Sequence, residues 1–454
     1  MRRLRVHIVV VFITLVGLST TGSGQTRRDP RGMALAGAYG VMARGLFSVD
    51  YNPANLAIPE QYKSYRVWGG VATSFTNNML SLKNYDKYNG QDLEADDGLL
   101  KEEFLNEIPE NGFRLFTDVH LPLPYLNFSR YNKAFTTDMI MIGDIGLPEG
   151  MLTFLFEGNP IGEEMSLDFR EDFLIMNQYA YSFAFPVKKL FFGVSLKYLQ
   201  GITYFGLNPD SSYGYVKTNF GSKKNYLEGE GYYLFQQSVG GRGFAMDLGL
   251  TTREINGYRL GFSVTNLFGR INWNKSTIIS RIMGNRGFIG DGGNYAYWFQ
   301  INEARMDKFF GKASFGDIFP GGNRALADSS KFVMNYPSLV RFSMSKWIEE
   351  GMQLAMDFVV GFEDRLYSFG AWKWSTGLEV TKNPRFPLRA GVSVGGWKQL
   401  ELTFGSGFHT GFIHVDWALG LNQGLWFTTA KGINFCLNIY TTGKRKDLIK
   451  VENF

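Results

Sequence analysis

Along the second half of the chain, apolar side chains fall on every second residue. Over residues 432–440, Ile433, Phe435, Leu437 and Ile439 take one face, and Asn434, Cys436, Asn438 and Tyr440 take the other. Ile413, Val415, Trp417 and Leu419 alternate with His414, Asp416, Ala418 and Gly420. Leu388, Ala390, Val392 and Val394 alternate with Arg389, Gly391, Ser393 and Gly395. Met352, Leu354, Met356 and Phe358 alternate with Gln353, Ala355 and Asp357, and Val340, Phe342 and Met344 with Arg341, Ser343 and Ser345. A period of two is that of a strand with one apolar face. The pattern recurs upstream in Phe244 to Leu250 around Asp247, in Leu260 to Val264, in Phe192 to Tyr198, and in the series Tyr179, Tyr181, Phe183 and Phe185. With residues 372–380 and 400–409 these make eleven strands. Fainter alternation near 65–75, 117–128 and 137–146 brings the number to about fourteen.

The second face separates two all-β architectures. In a sandwich the outer face carries long charged side chains. Here it is mostly Gly, Ser, Ala, Asn and Thr with an occasional Asp, Arg or Lys, which suits a crowded or water-filled lumen. Several runs have the ~9–11 residues that a tilted membrane strand needs. Tight links such as Lys188-Lys189 and Asn256-Gly257 alternate with long connections, as in barrels with short turns at one end and long loops at the other. The pattern therefore predicts a transmembrane antiparallel β-barrel. Three stretches break it. Residues 92–110 are acidic with a short helix expected over 99–108, and 208–237 and 271–328 are rich in Gly, Asn and Tyr. These are expected as loops outside the cell, with large loops near 77–116, 205–240 and 270–335, and with small helices or strands folding over the mouth.

Composition agrees. Aromatic residues make up 16 % of the chain and there are 54 glycines, where a soluble core would lean on aliphatics. Rings serve a lipid face and its girdles, and glycine serves crowded lumen positions. A mean hydropathy of -0.14 excludes a helical membrane protein but not a barrel, half of whose strand residues avoid lipid. Trp347, Trp372, Trp374, Trp397, Trp417 and Trp426 are expected at strand ends or on the lipid face.

The N-terminus adds a compartment. Met1 to Arg5 is basic, Ile8 to Leu18 is apolar, and small and polar residues follow to Gly24, the order of a secretion signal spanning 1–24. The apolar run is too short for a transmembrane helix. The expected location is the bacterial outer membrane, with outer-membrane lipid and the barrel-assembly machinery as partners. The C-terminal Phe454 fits an assembly signal, although 442–454 alternates poorly and reads as a tail. A net charge of +5 without a long basic run gives nucleic acid no support.

Candidate chemistry is sparse. A single cysteine, Cys436, excludes disulfides and cysteine-based metal clusters, and reads as a small lumen filler. His414 and Asp416 share a strand face and could form an acid–base pair, with Ser406 on a neighbouring strand as nucleophile. Two inward polar residues on one strand are, however, expected from alternation alone. No histidine spacing suits a metal, and the acidic run from Glu94 to Asp97 is a solvated loop. No cofactor is expected. Asp247, Arg341, Asp357, Arg389, His414 and Asp416 are candidate polar residues of the lumen.

The most specific motif lies just after the signal. Residues 31–39, Arg-Gly-Met-Ala-Leu-Ala-Gly-Ala-Tyr, precede Asp-Tyr-Asn-Pro-Ala-Asn-Leu-Ala at 50–57. This opening resembles that of the long-chain fatty-acid outer-membrane transporter superfamily, which includes the shuttle barrel of the type IX secretion system. The segments 404–408 and 415–418 resemble its closing strands. The resemblance implies fourteen strands and an N-terminal segment, residues 25–62, folded into the lumen as a hatch ahead of a barrel over 63–441. Gly37, Tyr39, Asn52, Pro53 and Ala54 would be its characteristic residues. Proline pins one dihedral, asparagine bonds local backbone, and small residues let a peptide lie against a wall. The function expected is passage or capture of a hydrophobic small molecule without chemistry. The rival is a barrel on which secreted or surface proteins dock, and a lumenal enzyme is a third class.

Overall fold

A computed structural model describes residues 29–444 except 159, 221–225, 274–292, 306–320, 326–331, 364, 367, 369–371 and 397. The expected signal at 1–24, nearly all of the tail, Trp397 and much of 271–328 lie outside the described residues.

The strands are β1 (Tyr62–Asn77), β2 (Phe113–Pro122), β3 (Asn127–Arg130), β4 (Lys133–Leu147), β5 (Glu164–Ser166), β6 (Arg170–Val187) and β7 (Leu190–Leu207). They continue with β8 (Tyr213–Asn219), β9 (Tyr226–Thr252), β10 (Tyr258–Trp273), β11 (Gly293–Arg305), β12 (Gly321–Ala325), β13 (Phe332–Asn335) and β14 (Leu339–Glu349). The last six are β15 (Met352–Gly361), β16 (Trp372–Val380), β17 (Leu388–Gly395), β18 (Leu400–His409), β19 (Ile413–Asn422) and β20 (Gly432–Lys444). Each barrel strand pairs antiparallel with its neighbour in the chain, and β20 pairs back onto β1 from Tyr62↔Lys444 to Thr76↔Gly432, which closes the sheet. β2 and β3 lie end to end between β1 and β4, and β13 and β14 lie end to end along β10. Taken so, the closed wall has fourteen staves. Closure leaves no sheet edge for lipid to meet, which is what a spanning sheet requires. No helix among the described residues is long and apolar enough to cross a membrane.

The alternation sets the wall's two faces. On β9 the outward series is Leu250, Leu248, Met246 and Phe244, with Phe244 69 % exposed, while Ala245 and Asp247 are buried inward. On β7, Phe192, Leu196 and Tyr198 face out and Ser195, Lys197 and Leu199 face in. The apolar belt ends at one level: Gln200 pairs with Arg242, and Arg242 with Asn272, so a polar row crosses three strands there. From Arg242 to Thr252 is the length of strand that a bilayer core needs.

The short turns, such as 188–189, 253–257, 350–351 and 410–412, lie at the end where β1 starts and β20 finishes. At the other end, helices Leu82–Tyr88, Leu99–Asn106 and Glu149–Phe156 occupy the long connections. The helix expected over 99–108 is thus present and slightly shorter. The stretches expected as loops near 205–240 and 270–335 are in good part strand. β9 runs 27 residues without interruption, and its upper half pairs with β8 and β11 in a sheet that rises beyond the belt. The reason is local. Tyrosine at alternate positions favours pleated structure, and Gly229 and Gly231 leave room for Val216 and Phe299 on one face.

Candidate functional site

Residues 29–58 lie inside the barrel, and almost every one is buried. The segment starts with a short helix, Pro30–Ala34, whose N-cap Asp29 accepts the Gly32 amide at 3.0 Å. Two 3-10 turns follow, Gly45–Ser48 and Pro53–Ala57. Asn52 caps the second: its Oδ1 accepts the Ala54 amide at 3.1 Å, and Pro53 opens the helix with its dihedral already set. Asn and Pro therefore hold this corner by the chemistry expected of them.

Inward glycines make room for the segment. A Cβ at Gly193 would overlap the Pro53 and Ala54 backbone, and one at Gly391 that of Leu35 and Ala36. At Gly249 it would meet Asn52 and at Gly405 the Ala34 methyl. Only a wall without side chains at these points admits a peptide so close.

Polar contacts fix the register in three places. Toward β9 and β10, the Asn52 Nδ2 donates to the Leu250 carbonyl and to the Thr251 hydroxyl, both at 3.0 Å. Thr251 donates to Asn55 at 2.8 Å, and the Ser263 hydroxyl donates to the Tyr51 carbonyl at 2.6 Å. Beside them, the Lys197 ammonium pairs with Asp50 of the segment and with Asp247 of the wall at 2.7 Å. Asn266, set inward by a bulge at positive φ, accepts from the same ammonium at 2.7 Å.

The second place is on β14 and β15. Asp357 Oδ2 accepts the Gly40 amide at 2.9 Å and Arg341 Nη1 at 2.6 Å, while Arg341 also donates to the Gly37 carbonyl at 3.0 Å. Tyr39 stacks edge-on against Tyr51, centroids 5.1 Å apart. Burial pushes its phenol pKa well up, with Asp29 acting in the same direction.

The third place is near the short-turn end. Arg31 donates twice to Glu379, at 2.7 and 2.5 Å, and Arg389 bridges Glu379 and Asp416, both at 2.7 Å. Burial disfavours the charged Arg31, but Glu379 with Tyr39 and Tyr440 outweighs it, and its pKa is raised. Arg31, Arg44, Arg389, His409, His414 and Tyr440 are among the residues around a chamber of about 300 Å³ on this side of the segment.

Toward the long connections the lumen holds an apolar cluster beside buried ion pairs of Arg365 with Asp172, Arg114 with Asp144, and Lys373 and Lys398 with Glu401. Phe116, Ile142, Leu174, Tyr204, Trp273 and Phe332 belong to one buried cluster. The Trp273 ring lies 5.7 Å from Tyr204 and 6.2 Å from Phe332. Glycines 201 and 241 face its indole, whose buried Nε1 has no hydrogen-bond partner among the described residues.

All six polar residues expected in the lumen face inward and are buried. They do not form one site. Asp247 belongs with Lys197, Arg341 with Asp357, and Arg389 with Asp416. His414 instead bonds the Thr442 hydroxyl at 2.9 Å. The acid–base pair considered for His414 and Asp416 is not formed: Asp416 takes His409 at 3.1 Å and the Tyr440 hydroxyl at 2.8 Å. Ser406 shares the outward face of Phe404 and Phe408, and its hydroxyl donates to the Pro387 carbonyl at 2.8 Å. No Ser-His-Asp relay therefore exists among these residues. Sequence reasoning missed Arg31, Asp50, Lys197, Glu379 and Trp273. Strand parity could have aimed Lys197 and Glu379 inward.

No curated protein matches the sequence. Among solved structures, the chain is similar to the P. putida toluene transporter TodX at 12 % identity and a TM-score of 0.47, over 92 % of this chain and 99 % of that one. It is similar to the Ralstonia pickettii toluene transporter TbuX at 13 % identity and a TM-score of 0.46, over 92 % and 98 %. A Pseudomonas aeruginosa FadL homologue matches at 10 % identity and a TM-score of 0.47, over 93 % and 100 %. The model of DUF5723, a family of unknown function, matches residues 53–309, more than half of the chain, and the chain therefore belongs to that family.

Proposed function

We propose that this protein is an outer-membrane barrel that captures or passes a hydrophobic small molecule, with residues 29–58 as its hatch. The observation that carries the reading is the composition of the lumen. A barrel that conducts water and ions has a polar interior. Here Phe116, Leu174, Tyr204, Trp273 and Phe332 pack together above the N-terminal segment, and the cations beside them, Arg114 and Arg365, are taken up by Asp144 and Asp172. An apolar solute gains by leaving water for that section, and the Trp273 N–H, without a partner among the described residues, can meet one acceptor on it. Below it the segment blocks the lumen through hydrogen bonds and ion pairs that have two sides, so it can release as a unit. No step in the passage requires bond chemistry.

Native mass spectrometry of protein extracted gently from its own outer membranes tests the reading. The expected result is a stoichiometric apolar molecule that is lost in Trp273→Ala, while the folded form persists on unheated gels. An empty lumen, or a lumen that conducts small sugars into liposomes, overturns it.

A further inference from the structure

Above the apolar belt, the sheet of β5, β8, β11 and the upper half of β9 has two unlike faces. One is packed: Met165, Val216, Leu227 and Ile301 form a buried cluster with Phe154 of the helix Glu149–Phe156. The other carries aromatic and polar side chains in register. Tyr213 is the partner of Tyr232, and Tyr232 of Trp298, so three rings stand in a row across three strands. Residues directly opposed across antiparallel strands share a face. Tyr213 is 51 % and Trp298 39 % exposed. The next row is Tyr215, Glu230 and Gln300, and the one after it Glu164, Lys217 and Glu228.

Position argues against a lipid girdle. Along β9 the outward polar row at Arg242 closes the belt, and Tyr232 lies ten residues beyond it. That is roughly 33 Å farther along the strand, past the depth at which Tyr and Trp settle between lipid and water. Charge argues against a phosphate-bearing partner, because among the described residues of these rows Glu164, Glu228 and Glu230 stand with one ammonium, that of Lys217. Rings set side by side across three strands argue against a quaternary ammonium, which needs rings that converge into a cage.

We infer that this face binds a neutral glycan chain of the cell surface. Rings repeating at the strand spacing of about 4.8 Å offer flat apolar platforms to the C–H faces of successive hexose units. Carboxylates and amides in the adjoining rows accept and donate to their hydroxyls. The Asn219 amide donates to Glu228 at 2.6 Å, which orients that carboxylate before any ligand arrives. The inference rests on the outer-membrane placement of the barrel, because there the sheet stands at the height of the surface saccharides. It does not rest on the cargo.

The test is a glycan array probed with the purified full-length protein, carrying neutral gluco-, manno- and galacto-oligosaccharides beside phosphorylated and sulfated ones. Binding confined to neutral chains is expected, falling at least tenfold in the double variant Tyr232→Ala/Trp298→Ala. That variant should keep the folded gel mobility and the co-purifying apolar molecule, while Trp273→Ala should keep glycan binding. Failure here is thereby distinct from failure of the transport reading. Binding to no neutral chain, binding to the anionic chains alone, or equal binding by the double variant overturns the inference.

Discussion

Lys197 of the barrel wall pairs at once with Asp50 of the N-terminal segment and Asp247 of the adjacent strand, and all three side chains are fully buried. The Gln178 amide donates to the second Asp50 oxygen at 2.9 Å, and the Asn266 amide to Asp247 at 2.8 Å. A buried ion pair adds little over an apolar replacement, but breaking it from one side is costly because a charge is stranded. Lys197→Met would leave two buried carboxylates without their cation. The expected loss is about 3–5 kcal/mol of stability, read as a lower urea midpoint for the folded form in detergent. Adding Asp50→Asn should recover part of it, and an unchanged midpoint would show that the triad is dispensable.

The contact of Gly193 with the Pro53–Ala54 backbone makes a second prediction. Gly193→Val puts a branched side chain where the segment lies, on a strand that tolerates valine well. The wall should still close while the segment is displaced. Single-channel recordings in planar bilayers are expected to show larger and longer openings than the parent protein. Gly69→Ala is the control, since a Cβ there meets nothing within 4 Å. Equal conductance in all three proteins would mean that the segment is not what closes the lumen.

The outward belt can be probed by charge. Leu248 faces out one residue from the pairing of Gly193 with Gly249, and Glu230 lies beyond the polar row at Arg242. An arginine near the bilayer midplane of a barrel costs about 2–4 kcal/mol and little near or beyond the interface. Leu248→Arg should therefore fold poorly into phospholipid vesicles, whereas Glu230→Arg should fold as the parent does. Comparable folding yields for the two variants would place the belt elsewhere.

How much of this was legible in the sequence depends on the range of the signal. Strand alternation is local, so the aim of Asp247, Arg341, Asp357 and Arg389 into the lumen follows from their parity. Their partners do not, because Asp50 meets Lys197 and Gly40 meets Asp357 across more than a hundred residues and no periodic pattern spans that distance. Alternation also fails where the backbone slips. Bulges on either side of Leu267, with Asn266 and Phe268 at positive φ, turn Asn266 inward against the parity of β10, whereas Trp273 keeps the parity of Ser263 and was passed over because 271–328 reads as loop. The upper half of β9 was hidden by composition, since Gly and Tyr between acids read as loop when no neighbour is known. The Asn-Pro-Ala corner was legible because its geometry is made by adjacent residues.

Cys436 supplies a native reporter for the N-terminal segment. It is the chain's one cysteine, is fully buried on the inner face of β20, and packs in a cluster with Met33, Ala34, Ala72 and Ala418. Met33 and Ala34 belong to the segment, and the nearby anchors are Arg31 on Glu379 and the Thr403 hydroxyl on the Ala34 carbonyl at 2.9 Å. While the segment is seated, a maleimide has no approach to the thiol. Glu379→Gln weakens the pairing of both Arg31 and Arg389 and should loosen the first turn of the segment without touching Cys436 itself. The expected outcome is slow labelling of the parent protein in detergent and at least tenfold faster labelling of Glu379→Gln, with both retaining folded gel mobility. Thr403→Val should act in the same direction and more weakly, because it removes one neutral hydrogen bond worth about 1 kcal/mol. If Cys436 labels equally slowly in all three, the segment holds its seat without the Arg31 anchor, and release must begin at Asp50 or at the Asn52 corner.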